Sequence, residues 1–154
     1  MKLAIGSDHG GYELKEKLKD FIRKEFHYEV IDYGCHSTEA VDYPDFAFLV
    51  AAAVAEGQCQ LGIMIDGAGL GSSIVANKLP GVRAAVCNDL FAARNSRAHN
   101  QANVLTLGAN IIGKGLAEEI VRVWLNTPFE ERHQKRIDKI LRLEREIYGF
   151  GKNG

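Results

Sequence analysis

The chain has 154 residues, enough for one domain with a full core, and its 46% apolar and 25% charged residues are ordinary for a soluble globular protein. A formal net charge of −1 gives no bulk electrostatic reason to expect a nucleic-acid or membrane partner. The three cysteines, Cys35, Cys59 and Cys87, form no CxxC pair and no close pattern with histidine, which argues against a disulfide framework or a structural zinc site.

Met1-Lys2 leads directly into a strand-like Leu3-Ala4-Ile5 with no signal peptide between, so a cytoplasmic location is expected. After the loop Gly6-Ser7-Asp8-His9-Gly10-Gly11, the residues Tyr12, Leu14, Leu18, Phe21, Ile22 and Phe26 recur at helical steps. Tyr28 to Ile31 reads as a second strand, and Cys35 beyond it as a loop thiol. The longest apolar stretch, Phe46 to Ala55, is half of what a bilayer requires. Leu61 to Ile65 is a third strand, and it runs through Asp66 into Gly67-Ala68-Gly69-Leu70-Gly71, with a helix beginning near Ser72. Val82 to Val86 and Val104 to Leu107 are the remaining strands, separated by a helix built on Phe91 and Ala92. Cys59 and Cys87 lie among apolar neighbours and read as packing residues. Leu116, Ile120, Val121 and Trp124 mark a further helix. Pro128 precedes a charged amphipathic helix from Glu130 to Tyr148, with Ile137, Ile140, Leu141 and Ile147 on one side. The tail from Gly149 to Gly154 is expected to fray.

Strands that are nearly continuous in apolar character, alternating with helices, specify an α/β chain: a three-layer αβα sandwich on a Rossmann-like five-stranded parallel sheet. The expected strand order is 2-1-3-4-5. No linker or repeat divides residues 1–154, so one domain is expected, with the extra C-terminal helix packing on a partner.

Glycines at 67, 69 and 71 let the backbone turn sharply and leave amides exposed at a helix N-terminus, which suits a phosphate or an oxyanion. Asp66 stands at the strand end beside that loop, where open α/β sheets place their chemistry. Asp8 and His9 follow the first strand and share this carboxyl edge; helix capping by Asp8 is the plainer alternative. His99 precedes the fifth strand and lies at its amino end, far from Asp66 within one subunit, so either it is a helix-dipole partner or the site is shared between subunits. Arg132 and Arg136, four apart, form a phosphate fork or a solvated basic face. G-x-G-x-G after the third strand is neither the dinucleotide fingerprint nor a P-loop, and no residue set points to a metal.

Five blocks occur in one order: Gly6 to Gly11, Val41-Asp42-Tyr43-Pro44-Asp45, the glycine loop running into Ile74-Val75-Ala76-Asn77-Lys78, Ser96 to Asn103, and Arg132-His133-Gln134-Lys135-Arg136-Ile137. Together they resemble the type B ribose-5-phosphate isomerase and galactose-6-phosphate isomerase family, over residues 1 to 148. The resemblance implies an enzyme of carbohydrate metabolism interconverting phosphorylated aldoses and ketoses of the ribose 5-phosphate type. It also implies chemistry without metal or cofactor, and a homodimer or tetramer with the site between subunits. Carried over, Asp8 and Tyr43 would bind sugar hydroxyls, and His9, Arg132 and Arg136 the phosphate. His99 would open the furanose ring with Asn100 beside it, and the amides from Gly67 through Gly69 to Gly71, with Ser72, would hold the enediolate.

Three positions depart from the family pattern: Asp66 where a cysteine base is common, Ala68 where Thr or Ser is common, and Asn110 where an Arg often serves the neighbour's phosphate site. Asp66 is then the sole candidate base on the loop. The pair Ile65-Asp66 is similar to the A-type subunits of galactose-6-phosphate isomerase, which work with a second subunit type. A partner-dependent subunit and a non-catalytic sugar-phosphate binding protein are the alternatives to an isomerase acting alone.

Overall fold

Residues 1–149 are described by the structure, a computed structural model. Five strands, β1 (Lys2–Ser7), β2 (Glu29–Asp32), β3 (Leu61–Asp66), β4 (Ala84–Val86) and β5 (Val104–Gly108), form one all-parallel sheet. Side chains alternate across it. Leu3, Ile5, Ile63, Ile65, Leu105 and Leu107 face the helices α1 (Tyr12–Phe26) and α5 (Lys114–Asn126), which answer with Leu14, Leu18, Ile22, Ile120, Val121 and Trp124. Ala4 and Met64 face the opposite way, onto Ala47, Val50 and Ala53 of α2 (Tyr43–Ala55). Each Leu or Ile fully buried here contributes about 1.5–3 kcal/mol. The apolar run from Phe46 to Ala55 is therefore a helix, and the αβα sandwich stands as expected.

The strand order is β2-β1-β3-β5-β4, not 2-1-3-4-5. The fifth strand takes the interior place because all five of its residues are buried, whereas β4 has only three residues, each half-buried, and suits an edge. The chain turns left from β1 to β2 and right from β2 over β1 to β3, so the crevice where the order reverses opens above the carboxyl ends of β1 and β3.

Two boundaries differ from the periodicity. The helix after the glycine loop, α3, spans Leu70–Ala76, starting two residues before Ser72. The terminal helix is broken: a 3-10 turn at Glu131–His133 precedes α6 (Gln134–Tyr148), and Gly149 ends it in the left-handed region. Of the expected tail, residues 150–154 lie outside the described residues. Within α6 only Ile137 is buried; Ile140, Leu143 and Ile147 remain exposed beside a groove of about 400 Å³ shared with Val82 and Ala84. No described helix is long and apolar enough to cross a membrane.

Lys15 lies wholly buried under α1, with its Nζ 2.7 and 2.8 Å from the Asp32 carboxylate oxygens and 2.6 Å from the Cys35 carbonyl. Lys19 reaches the same carboxylate at 2.6 Å. Burial pushes the Asp32 carboxyl up, but bonds from Lys15, Lys19 and the Gly34 amide outweigh it and leave the group below its usual range. This cluster fixes the β2 exit beneath the Asp8 loop. All three cysteines are buried and unpaired, and burial pushes the Cys87 thiol up to about 11, so it is an inert packing group.

Candidate active site

At the carboxyl edge, Asp66 ends β3 with its side chain folded into the loop that follows. Its Oδ1 accepts from the amide of Ala68 at 3.0 Å and from that of Gly69. Its Oδ2 accepts from the Ser72 amide at 3.0 Å and the Ser72 hydroxyl at 2.5 Å. Both residues are buried. Asp66 thus caps α3 from four residues before its start, and the amides of Ala68, Gly69 and Ser72, expected to face an oxyanion, face its carboxylate instead. The amides of Gly67, Leu70 and Gly71 have no acceptor among the described residues, so the oxyanion-binding capacity of the loop rests on them. Gly69 makes the turn possible at φ 77°, and its carbonyl accepts from Thr106 at 2.8 Å on β5.

Asp8 stands beside this loop, its amide 3.1 Å from the Ile65 carbonyl. Its Oδ1 accepts from the Gly11 amide at 3.0 Å, so it does cap the turn into α1. Gly11 lets that helix close on the sheet: a Cβ there would stand 2.7 Å from the Ile65 carbonyl carbon. His9 is exposed, with Nδ1 3.2 Å from the backbone of Val41. Tyr43, at the start of α2, lays its ring over Gly71, where a Cβ would be 2.6 Å from the Tyr43 hydroxyl. Asn110 follows β5, its amide donating to the Gly67 carbonyl at 3.0 Å. Asp8, His9, Tyr43, Asp66, Gly67 to Ser72 and Asn110 therefore share one edge.

The remaining expected residues share the other. The helix α4 (Leu90–Ala98) returns the chain to the amino edge, so its cap, His99, lies before the start of β5, whereas Asp66 pairs with Gly108 at its end. The length of β5 alone separates these levels by about 13 Å. The Glu130 amide donates to the Ala98 carbonyl at 2.9 Å and brings the segment of Arg132 and Arg136 against His99. His99 stacks on His133 with ring centroids 4.1 Å apart, and its Nδ1 meets Asn95 Nδ2 at 3.1 Å. Arg136 Nη1 donates to His133 Nδ1 at 2.5 Å. Arg132 pairs with Glu130 at 2.6 Å, and that bond, with His99 and His133 nearby, holds the Glu130 carboxyl below its usual range. Burial, then the neighbouring Arg132, His99 and Arg136, push the His133 imidazole below its ordinary value. Asn100 is exposed beside Asn95.

Within one chain the expected residues therefore fall into two clusters at opposite edges of the sheet. The expected phosphate set divides between them, with His9 on one edge and Arg132 and Arg136 on the other. The arginines also do not share a regular helix, since Arg132 lies in the 3-10 turn. Glu130, His133 and Asn95 carried no assignment from the sequence. His133 stood visibly between the two arginines, but its stacking on His99 depends on the long-range docking of residue 130 on residue 98. His99, Glu130 and His133 offer ligand atoms within 4.8 Å of one another, a spacing open to a small cation. One guanidinium on the carboxylate, from Arg132, and another on the His133 imidazole, from Arg136, make the cluster better suited to an anion.

A family model described as Ribose/Galactose Isomerase matches residues 3–140. The chain belongs to that family. Ribose-5-phosphate isomerase B of Escherichia coli (strain K12) is 45% identical over 144 residues, covering 93% of this chain and 96% of that relative. D-erythrulose-4-phosphate isomerase of Pectobacterium atrosepticum is 41% identical, covering 84% and 86%. The solved structure of Clostridium thermocellum ribose-5-phosphate isomerase B superposes with a TM-score of 0.92 at 53% identity, covering 96% of this chain and 99% of that one. Family members of different sugar-phosphate specificity thus resemble this chain to nearly the same degree.

Proposed function

We infer that this chain, acting as one domain, is an aldose–ketose isomerase of phosphorylated sugars, of the ribose 5-phosphate to ribulose 5-phosphate type. The observation that carries the reading is the buried Asp66 carboxylate beside three unengaged amides at the sheet's switch point. In this reading the site is completed across two copies, one giving Asp8, His9, Tyr43 and the glycine loop, the other His99, Asn100, Arg132 and Arg136. Exposed Leu70, Ile74, Leu90 and Phe91 near the loop helices, with Ile140, Leu143 and Ile147 of α6, supply apolar surface for such a contact.

His99 takes the proton of the anomeric hydroxyl and delivers one to the ring oxygen, which opens the furanose to the aldehyde. Asp66 Oδ2 then takes the proton from C2. As it does so the Ser72 hydroxyl turns from donor to acceptor, because one oxygen cannot hold both hydrogens. The electron pair moves into the C1–C2 bond and charge gathers on O1, facing the amides of Gly67, Leu70 and Gly71. Return of the proton to C1, with passage of the O2 hydroxyl proton to O1, leaves the ketose. His9, Arg132 and Arg136 hold the phosphate, and Asp8 and Tyr43 the sugar hydroxyls. No cofactor enters these steps.

Exchange of the C2 hydrogen in heavy water tests this reading, with ribose 5-phosphate and galactose 6-phosphate as substrates. Wild type is expected to exchange at least one of them, and Asp66→Ala and His99→Ala neither. Binding without exchange by wild type would contradict the reading. One observation favours a second reading, a subunit that needs a different partner: every hydrogen bond that the Asp66 carboxylate accepts among the described residues comes from its own loop and the helix after it. Turnover by the purified chain alone would dismiss it.

A further inference from the structure

Glu130 has no role in the reaction just described, yet its carboxylate is gripped by Arg132 and lies close to His99 and His133. Arg132 reaches its Oε2 with Nε at 2.7 Å and Nη2 at 2.6 Å. His133 Nε2, buried and without a hydrogen-bond partner, faces the same oxygen at 3.7 Å. Arg136 holds the other nitrogen of that ring, and His99 stacks over it. One guanidinium and two imidazoles thus stand around one carboxylate, with the Arg136 guanidinium behind the nearer imidazole. The fork of Arg132 that grips Glu130 is the edge a guanidinium offers to phosphate. The carboxylate itself is 43% exposed, and among the described residues its hydrogen bonds are those from Arg132 alone. Only its backbone, through the amide bond to Ala98, is anchored.

We propose that Glu130 is the resident anion of the phosphate clamp, an affinity-setting residue that phosphate must displace from Arg132. The proposal rests on the reading of Arg132 and Arg136 as phosphate ligands. In the ligand-free subunit the carboxylate keeps the arginine fork oriented and neutralised. A phosphate monoester, carrying nearly two charges and three acceptor oxygens, displaces it. A sugar acid, with one charge and two oxygens, has to displace the same carboxylate with fewer bonds to offer. Glu130 therefore lowers affinity for every anion by a common factor, so that only a ligand as strongly held as a phosphate monoester occupies the clamp.

The test is calorimetric titration of the full-length protein with inorganic phosphate and with gluconate, together with KM for ribose 5-phosphate. It compares wild type, Glu130→Gln, Arg132→Ala and the double variant. Glu130→Gln is expected to bind phosphate roughly threefold to fivefold tighter, the scale of an exposed ion pair, and to lower KM by a similar factor. Gluconate binding should tighten by a similar factor, and both gains should vanish in the Arg132→Ala background. Unchanged or weaker phosphate binding by Glu130→Gln would overturn the proposal, and so would a gain that survives loss of Arg132. Tighter phosphate binding in a protein that turns over no sugar phosphate would uphold the role of Glu130 while removing the isomerase reading.

Discussion

Asp66 holds Ser72 at two points, its amide at 3.0 Å and its hydroxyl at 2.5 Å, through one carboxylate oxygen. That oxygen is the one assigned to receive the substrate proton, so the hydroxyl has to yield. Ser72→Ala keeps the amide bond but removes the group that switches. Its kcat is expected to fall roughly tenfold with little change in KM, whereas Asp66→Asn should lose about a hundredfold or more. Steady-state kinetics checks both, and equal effects on kcat would deny Ser72 a separate role. Loss of the buried hydroxyl should also cost about 1–2 kcal/mol of stability, measured by urea unfolding.

In the proposed mechanism His99 opens the ring and leaves the proton transfer to Asp66. Ribose 5-phosphate can close a furanose ring, but a tetrose 4-phosphate cannot, because its phosphate occupies the oxygen that would close it. His99→Asn is therefore expected to lose about a hundredfold in kcat on ribose 5-phosphate and to retain most of its turnover of erythrose 4-phosphate. Coupled assays with the two sugars decide this. An equal loss on both would place His99 in the proton transfer itself.

Gly71 lies under the Tyr43 ring, and a Cβ there would overlap it. Tyr43 is 38% exposed and free to swing outward, so Gly71→Ala should raise KM several-fold without unfolding the chain. Gly11→Ala meets the backbone of Ile65 as well as its side chain, and is expected to destabilise by about 3 kcal/mol. Thermal unfolding beside kinetics separates the two.

The Lys15–Asp32–Lys19 cluster makes stability depend on acid. A carboxyl whose folded value lies below its unfolded one stabilises the fold above about pH 4, and that contribution is lost as pH falls through the folded value. Tm of wild type should therefore drop on acidification more steeply than Tm of Asp32→Asn, which lacks the group. Parallel curves would show that Asp32 contributes nothing. Lys15→Met should cost about 3 kcal/mol at neutral pH, the low end for breaking a buried pair, because Lys19 stays on the carboxylate.

Much of this was legible in local pattern. Each strand was visible as a short apolar run, and strand polarity alone placed His99 away from Asp66. The exchange of β4 and β5 was not, because the choice between a central and an edge place depends on pairing with residues some 40 positions away. The charge pattern from Glu130 to Tyr148 reads as one helix, and nothing local marks the 3-10 turn that docks on Ala98. Asp66 was evident as a strand-end carboxylate. That its oxygens would take up two of the loop's amides depends on how the loop folds back, which glycine spacing permits but does not specify.

The central claim is a site assembled from half-sites on two copies of the chain. Asp66→Asn disables the carboxyl-edge half and His99→Asn the amino-edge half. Unfolded together in equal amounts and refolded, they should form mixed pairs in which one of two sites is intact. Activity on ribose 5-phosphate should then return to about a quarter of wild type, from two preparations inactive alone. If the refolded mixture stays as inactive as its components while refolded wild type recovers, the two halves do not meet across subunits, and the account fails.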